Sequence, residues 1–300
     1  MRERSSLRNA LEYWLAACVL RTLETGPGSF AGWLARRYVW LLDAGVPRLR
    51  RTALRNLSMA LPELDAAGRK RVVDGVFRSI ARLLVAFARF PRIDGRNVGQ
   101  WIRCEGREHL EEGLRLGRGV LVATGHLGNW ELSAFAHALM TGPMYVVARP
   151  LDNPRLDALV ARRRALSGNR TIQKKDFARG ILKALAANQV VGVLVDQNST
   201  PEHGVFTDFF GIPACTNAGF ARLAAHSGAA VIVGCALWSE EERRCVLRFY
   251  PRVEISGDPQ ADTQRLQRRL EDIIRKHPDQ WLWIHRRWKT RPPGEAPLYE

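Results

Sequence analysis

Lysine is nearly missing from this sequence: 6 lysines stand against 40 arginines, and 46 basic residues face only 30 acidic ones. The formal net charge of +16 points to an anionic partner, whether nucleic acid, an anionic membrane surface or an acidic protein. Arginine binds phosphate through two parallel hydrogen bonds, so the bias suits phosphate ligands; a GC-rich genome produces the same bias. Cysteine is scarce too. Cys18, Cys104, Cys215, Cys235 and Cys245 are odd in number and contain no C-x-x-C pair. That argues against a zinc site and a disulfide framework and favours a reducing compartment. Long apolar runs are lacking: Leu11 to Leu20 contains Glu12 and is closed by Arg21, too short to span a bilayer. No small-residue cleavage site follows it, so it is a poor signal peptide. There is no G-x-S-x-G elbow, P-loop, G-x-G-x-x-G or H-E-x-x-H, so a covalent serine or cysteine mechanism is unsupported. No cofactor or metal is expected.

What is present suffices for a sizeable core: 300 residues, 46% of them hydrophobic. The first third reads as helix. Tyr13, Trp14, Trp33, Tyr38 and Trp40 lie among arginines, a mixture that suits a lipid headgroup region. One or two helices lying on or dipping into a membrane are expected there, against the alternative of a helical hairpin packed on the body. A basic helix over Arg48 to Ala60 follows. Asp65 then caps a long helix to about Phe90, whose apolar residues recur at helical spacing. Residues 1–94 are read as an N-terminal helical, membrane-associated region and 95–300 as an α/β domain.

After Gly95 strands and helices alternate. Strands are expected at Trp101 to Cys104, Val120 to Ala123, Met144 to Ala148, Val190 to Val195, Ala229 to Leu237 and Cys245 to Phe249. Helices are expected at Glu108 to Leu116, Trp130 to Met140, Pro154 to Leu166, Phe177 to Ala187, Thr216 to Ser227 and Asp262 to Lys276. This predicts a mixed α/β fold, a largely parallel central sheet flanked by helices.

The chain centres on Gly119-Val-Leu-Val-Ala-Thr-Gly-His-Leu-Gly-Asn-Trp-Glu131. A buried strand ends at Ala123, Gly125 and Gly128 mark a tight loop, and Asn129 caps a helix. His126 thus lies at a strand's C-terminal end and Glu131 in the first turn of the next helix, where open α/β sheets place their chemistry. A carboxylate within reach of an imidazole fixes its tautomer and stabilises the imidazolium. The plainer reading is a loop histidine and an acid that complements the helix dipole.

Arg149 also ends a strand and either holds an anionic group or is one more surface-loop arginine. Asp196-Gln197-Asn198 ends another and forms a site edge or a turn. The following loop is aromatic: Phe206, Phe209 and Phe210 either line a groove for an alkyl chain or cover the core. The backbone amides of Thr216 and Asn217, at the expected helix start, suit an anion. Arg162-Arg163-Arg164 and Lys174-Lys175 read as solvated faces. The C-terminal Trp281-Leu-Trp283-Ile-His285-Arg-Arg-Trp288 is either a membrane or partner contact, or a tail packed on the body.

In these blocks the sequence resembles a known family. His126-Leu-Gly-Asn-Trp-Glu131 is similar to the H-x4-D/E motif of the glycerolipid acyltransferase superfamily, and to that of the bacterial lipid A biosynthesis acyltransferases in particular. Arg149 with Asp152-Asn-Pro154 matches a second block of that family. Asp196-Gln197, Gly204-Val-Phe-x-Asp208-Phe-Phe-Gly and Pro213-Ala-x-Thr216 match a third, and Arg51-x-Ala-x-x-Asn-Leu57 with Pro62-Glu63 resembles its N-terminal helices. The resemblance covers about residues 45 to 290. It implies an acyl carrier protein or coenzyme A thioester as donor. The implied acceptor is a hydroxyl of a lipid A precursor at the cytoplasmic face of the inner membrane, with inner-membrane lipids as further partners and no nucleic acid. It implies His126 as general base, Glu131 orienting and charge-balancing it, and no acyl-enzyme. Arg149 would bind an anion or support the oxyanion, and Asp196 would support the site or position the acceptor. Asn129, Gln197 and Asp208 complete the implied substrate-binding set. Another glycolipid acceptor, such as a phosphatidylinositol mannoside, and a non-catalytic basic membrane-surface protein are the alternatives.

Overall fold

A computed structural model describes residues 5–173 and 177–299; the Lys174-Lys175 pair lies outside the described residues. Four helices come first: α1 (Ser6–Thr25), α2 (Gly28–Gly45), α3 (Pro47–Ala60) and α4 (Ala66–Ala88). Asp65 caps α4 by accepting from the Gly68 amide, as a helix N-terminus requires. Both α1 and α2 pack on α4. Their buried residues are few: Leu20 and Leu23 on α1, and Ala31, Ala35 and Val39 on α2. Among the described residues no helix is long and apolar enough to cross a membrane.

From β1 (Ile102–Glu105) the alternation begins. In order come α5 (Arg107–Arg115), β2 (Val120–Thr124), α6 (Trp130–Met140), β3 (Tyr145–Ala148), α7 (Pro154–Ala165), β4 (Arg170–Gln173), α8 (Phe177–Ala186) and β5 (Val190–Leu194). Then follow β6 (Gly204–Phe209), β7 (Ile212–Asn217), α9 (Gly219–Ser227), β8 (Ala230–Ser239), β9 (Arg244–Phe249) and α10 (Pro259–Lys276). Seven strands form one sheet in the order β1-β9-β8-β2-β5-β3-β4. β4, β3, β5, β2 and β8 run parallel, while β9 is antiparallel to β8 and parallel to β1. The fold is the expected mixed α/β layer structure.

Three local expectations are corrected, and one strand was not expected. β4, Arg-Thr-Ile-Gln, has one apolar residue and gave no run to read. The aromatic loop is a hairpin of β6 and β7, turned by Phe210 (φ 60°) and Gly211 (φ 75°), positive φ at both turn residues as tight hairpins need. Thr216 and Asn217 therefore end a strand, and α9 starts at Gly219. The last helix begins at Pro259 because Asp258 caps it.

Register explains where the site lies. Thr124 of β2 is the pairing partner of Leu194 of β5. His126 and Asp196 each follow two residues later, so they leave the sheet side by side. β3 pairs with β5 only at Tyr145↔Val191 and Val146↔Gly192. Beyond that level the two strands separate, opening a crevice at the sheet's C-terminal edge, where α/β sheets hold ligands.

Candidate active site

The loop from Gly125 to Asn129 is held from both sides. The Gly128 amide donates to the Gln280 carbonyl and the Asn129 amide to the Ala236 carbonyl, each at 2.8 Å. Gly128 has φ +62°, and a Cβ there would lie 2.0 Å from the Ala236 carbonyl oxygen, so glycine is required. The Leu282 amide donates to the His126 carbonyl at 2.9 Å. The C-terminal segment thus forms one wall of the loop.

Asp196 is fully buried and accepts three hydrogen bonds: from the His126 amide (2.7 Å), from His126 Nδ1 (2.9 Å) and from Trp281 Nε1 (2.8 Å). A buried charge persists only with such partners. Burial alone would raise the Asp196 pKa, but the His126 charge and hydrogen bond hold it well below the usual carboxylate range. Burial in turn disfavours the His126 imidazolium. The Asp196 charge, its hydrogen bond and the Glu131 charge outweigh this, and the His126 pKa is raised. An ionised Asp196 requires the proton on Nδ1, which leaves the Nε2 lone pair to accept from Gln197 Nε2 at 3.3 Å. Trp130 packs edge-on against the ring.

Glu131 is placed differently from the expectation. Arg164 of α7 binds both of its oxygens, Nε to Oε2 at 2.9 Å. The carboxylate hydrogen-bonded to the imidazole is Asp196; Glu131 acts on His126 through its charge. Arg164 thereby departs from the solvated-face reading. So does Arg163, which binds Glu24 of α1 and the carbonyls of Phe87 and Ala88.

His126 stands at the mouth of a cavity of about 1040 Å³. Its rim is polar, with Arg149, Asp152, Gln197, His203 and Arg222. Its interior between α6 and the sheet is apolar, with Val122, Phe135, Met144, Val146 and Phe249. Arg149 is at this rim, ion-paired with Asp152 at 2.8 Å.

Two expected residues stand apart. Asn129 is the N-cap of α6, its Oδ1 accepting from the Leu132 amide at 3.0 Å, and it does not line the cavity. Asp208 accepts from the Gly211 amide in the hairpin turn and is likewise absent from the lining. Phe209 and Phe210 take the core-covering alternative, buried against Trp281, with Phe209 also facing Trp288 and Phe210 facing Trp283. Among the described residues no group of three His, Cys, Asp or Glu is placed to hold a metal ion.

The sequence reading missed Trp281, Arg164 and Arg287. Arg287 is fully buried. It donates to the Cys215 carbonyl (3.0 Å) and Thr216 Oγ1 (2.6 Å), tying the hairpin to the C-terminal segment. Burial lowers its pKa to about 10. One signal for these residues was available: the alternation Trp281-x-Trp283 beside a positive run has the period of a wall packed on one side.

A buried carboxylate–imidazole pair beside a cavity with an apolar interior, at the C-terminal edge of a largely parallel sheet, defines the class: an α/β protein with a titratable pair at its ligand crevice. Sequence comparison narrows this class. The profile of the family described as bacterial lipid A biosynthesis acyltransferase matches residues 1–290, and the chain belongs to that family. It is 28% identical over 263 residues to the lipid A biosynthesis lauroyltransferase of Escherichia coli K12, covering 82% of this chain and 80% of the relative. It is 30% identical over 251 residues to the palmitoleoyltransferase of the same organism (82% and 81%). It is 26% identical over 295 residues to a lipid A biosynthesis acyltransferase of Haemophilus influenzae (96% and 94%).

Proposed function

We propose that this protein is an O-acyltransferase that moves a fatty acyl chain from an acyl carrier protein or coenzyme A thioester to a hydroxyl of a lipid A precursor. The observation that carries this reading is the His126–Asp196 pair at the mouth of the apolar cavity. His126 Nε2 takes the proton of the acceptor hydroxyl while Asp196 stabilises the imidazolium. The alkoxide attacks the thioester carbonyl, and the tetrahedral oxyanion collapses with cleavage of the C–S bond. The leaving thiolate takes the proton back from His126. Glu131, fixed by Arg164, adds negative charge that favours the same imidazolium. Arg149 at the rim holds an anionic group of donor or acceptor, and the Gln197 amide, which donates to Nε2, yields that place to the reacting hydroxyl.

The setting supports the reading. Carrier protein, lipid phosphates and the inner leaflet are all acidic, which matches the +16 charge. Leu7, Leu11, Trp14 and Leu15 of α1 and Trp33, Trp40 and Leu41 of α2 are exposed, an apolar face that suits peripheral attachment at the cytoplasmic side of the inner membrane. The test is transfer of labelled acyl chains from acyl carrier protein to a tetra-acylated lipid A precursor. Label enters lipid with wild type, and His126→Ala lowers the rate by about 10²–10⁴-fold. Undiminished transfer by a folded His126→Ala protein overturns the mechanism. Labelling of a phosphatidylinositol mannoside in place of lipid A overturns the acceptor.

A further inference from the structure

The cavity's inner end has a construction of its own. β5 reads Val-Val-Gly-Val-Leu and lies between β2 and β3. Gly192, at its centre, pairs in register with Val122 on one side and Val146 on the other. A glycine inside a central strand forgoes packing and marks a place where another group approaches the backbone closely. Gly192 lines the cavity, and the group lying over it is the Met144 methyl. A Cβ built on Gly192 would come 2.7 Å from Met144 Cε.

Met144 directly precedes β3, so it lies at the opposite end of that strand from Arg149 at the rim. Five residues of strand at about 3.3 Å each put it roughly 16 Å below the mouth. Met144, Val146 and Ala148 alternate onto one face of β3, as Val122 and Thr124 do on β2, and all five line the cavity. Met144 is buried. Its unbranched side chain has three rotatable bonds and fills irregular gaps. The floor is therefore a slot without a Cβ, filled by one flexible thioether. His137 of α6, also in the lining, stays uncharged at neutral pH because burial pushes its pKa down to about 4.

We propose that Gly192 and Met144 together set the length of acyl chain that the enzyme transfers, the glycine providing the slot and the methionine closing it. This inference rests on the acyl-transfer reading above and adds the residues that select the donor. A longer chain displaces the Met144 methyl from the slot; a side chain at Gly192 removes the space into which either moves.

The experiment is a competition between lauroyl and palmitoyl thioesters of acyl carrier protein, with mass spectrometry of the lipid product. It compares wild type, Gly192→Ala and Met144→Ala. Gly192→Ala lowers the palmitoyl-to-lauroyl ratio by about tenfold, the discrimination one misplaced methylene commonly causes. Met144→Ala moves the ratio the opposite way. Met144→Ala keeps the test decisive where Gly192→Ala does not fold, because it only removes atoms. Transfer with a wild-type ratio in the folded variants overturns the ruler alone. Absence of transfer by wild type from either thioester overturns the acyl-transfer reading and the ruler with it.

Discussion

Tryptophan beside arginine occurs at both ends of this chain, with opposite outcomes. Trp281, Trp283 and Trp288 are 0% exposed, whereas Trp14 and Trp40 are 66% and 60% exposed. Composition does not separate them; partners do. The C-terminal tryptophans face one another and the hairpin phenylalanines, and their indole N–H groups reach Asp196, the Pro278 carbonyl and the Phe209 carbonyl. Aromatic residues go fully inside when their polar handle finds an acceptor there. The N-terminal pair lies on helices that bury other residues, Leu20 and Leu23 on α1 and Ala31, Ala35 and Val39 on α2, and the two large rings are left outward. One end builds the wall behind His126, and the other presents an apolar face.

The comparison breaks first at Trp281. Trp281→Ala removes a buried indole and the donor to Asp196, and costs about 3–5 kcal/mol of stability; chemical denaturation with circular dichroism measures it. Trp281→Phe keeps most of the packing and loses the hydrogen bond, so it separates the two contributions. A loss below 1 kcal/mol in Trp281→Ala would show that the wall is not structural.

Burial also acts on polar groups, and His137 sharpens that point. Its pKa is lowered from 6.5 to about 4, so the folded state binds its proton less readily than the unfolded chain does. The stability this contributes is fully present above pH 6.5 and is lost as pH falls towards 4. The loss is on the order of 3 kcal/mol at 1.36 kcal/mol per unit. Denaturation midpoints across this range measure it, and in His137→Phe this part of the pH dependence disappears.

The smallest stability effect belongs to the exposed end. Trp14→Ala with Trp40→Ala changes unfolding free energy by less than about 0.5 kcal/mol and lowers binding to anionic vesicles by about tenfold. Unchanged vesicle binding in a sedimentation assay would remove the membrane-facing role of α1 and α2.

The same contrast explains what was legible in the sequence. The strand, glycine loop and capped helix around His126 were readable because each local signal agreed with the fold: Val120 to Ala123 is apolar, Gly128 needs positive φ, and Asn129 caps α6. Arg149 and Asp196 were readable because both follow apolar strands that end together. The partner of the imidazole was not. Glu131 is five residues from His126 and Asp196 is seventy away, and only the β2–β5 register brings the distant residue to Nδ1. Arg164 escaped notice because it stands in a run of three arginines whose members differ only in what they face. The hairpin was hidden by Phe210, a bulky residue at φ 60° where glycine or asparagine is usual. The Glu271 carboxylate on its amide and the Arg275 guanidinium over its ring secure it there.

The central claim is that His126 is a base held by Asp196 rather than by the neighbouring Glu131. The pH dependence of kcat/KM for acyl transfer tests this most directly, in wild type, Asp196→Asn and Glu131→Gln. The wild-type acid limb lies above the ordinary histidine value of about 6.5, because the pKa of the free base is raised. Asp196→Asn removes the larger negative influence and presents an amide to Nδ1. The limb moves to lower pH, and the plateau falls by about 10³-fold or more as the wrong tautomer prevails. Glu131→Gln moves the limb the same way by less. A limb unmoved in Asp196→Asn and displaced in Glu131→Gln would contradict the account and return the role to the residue five positions from His126.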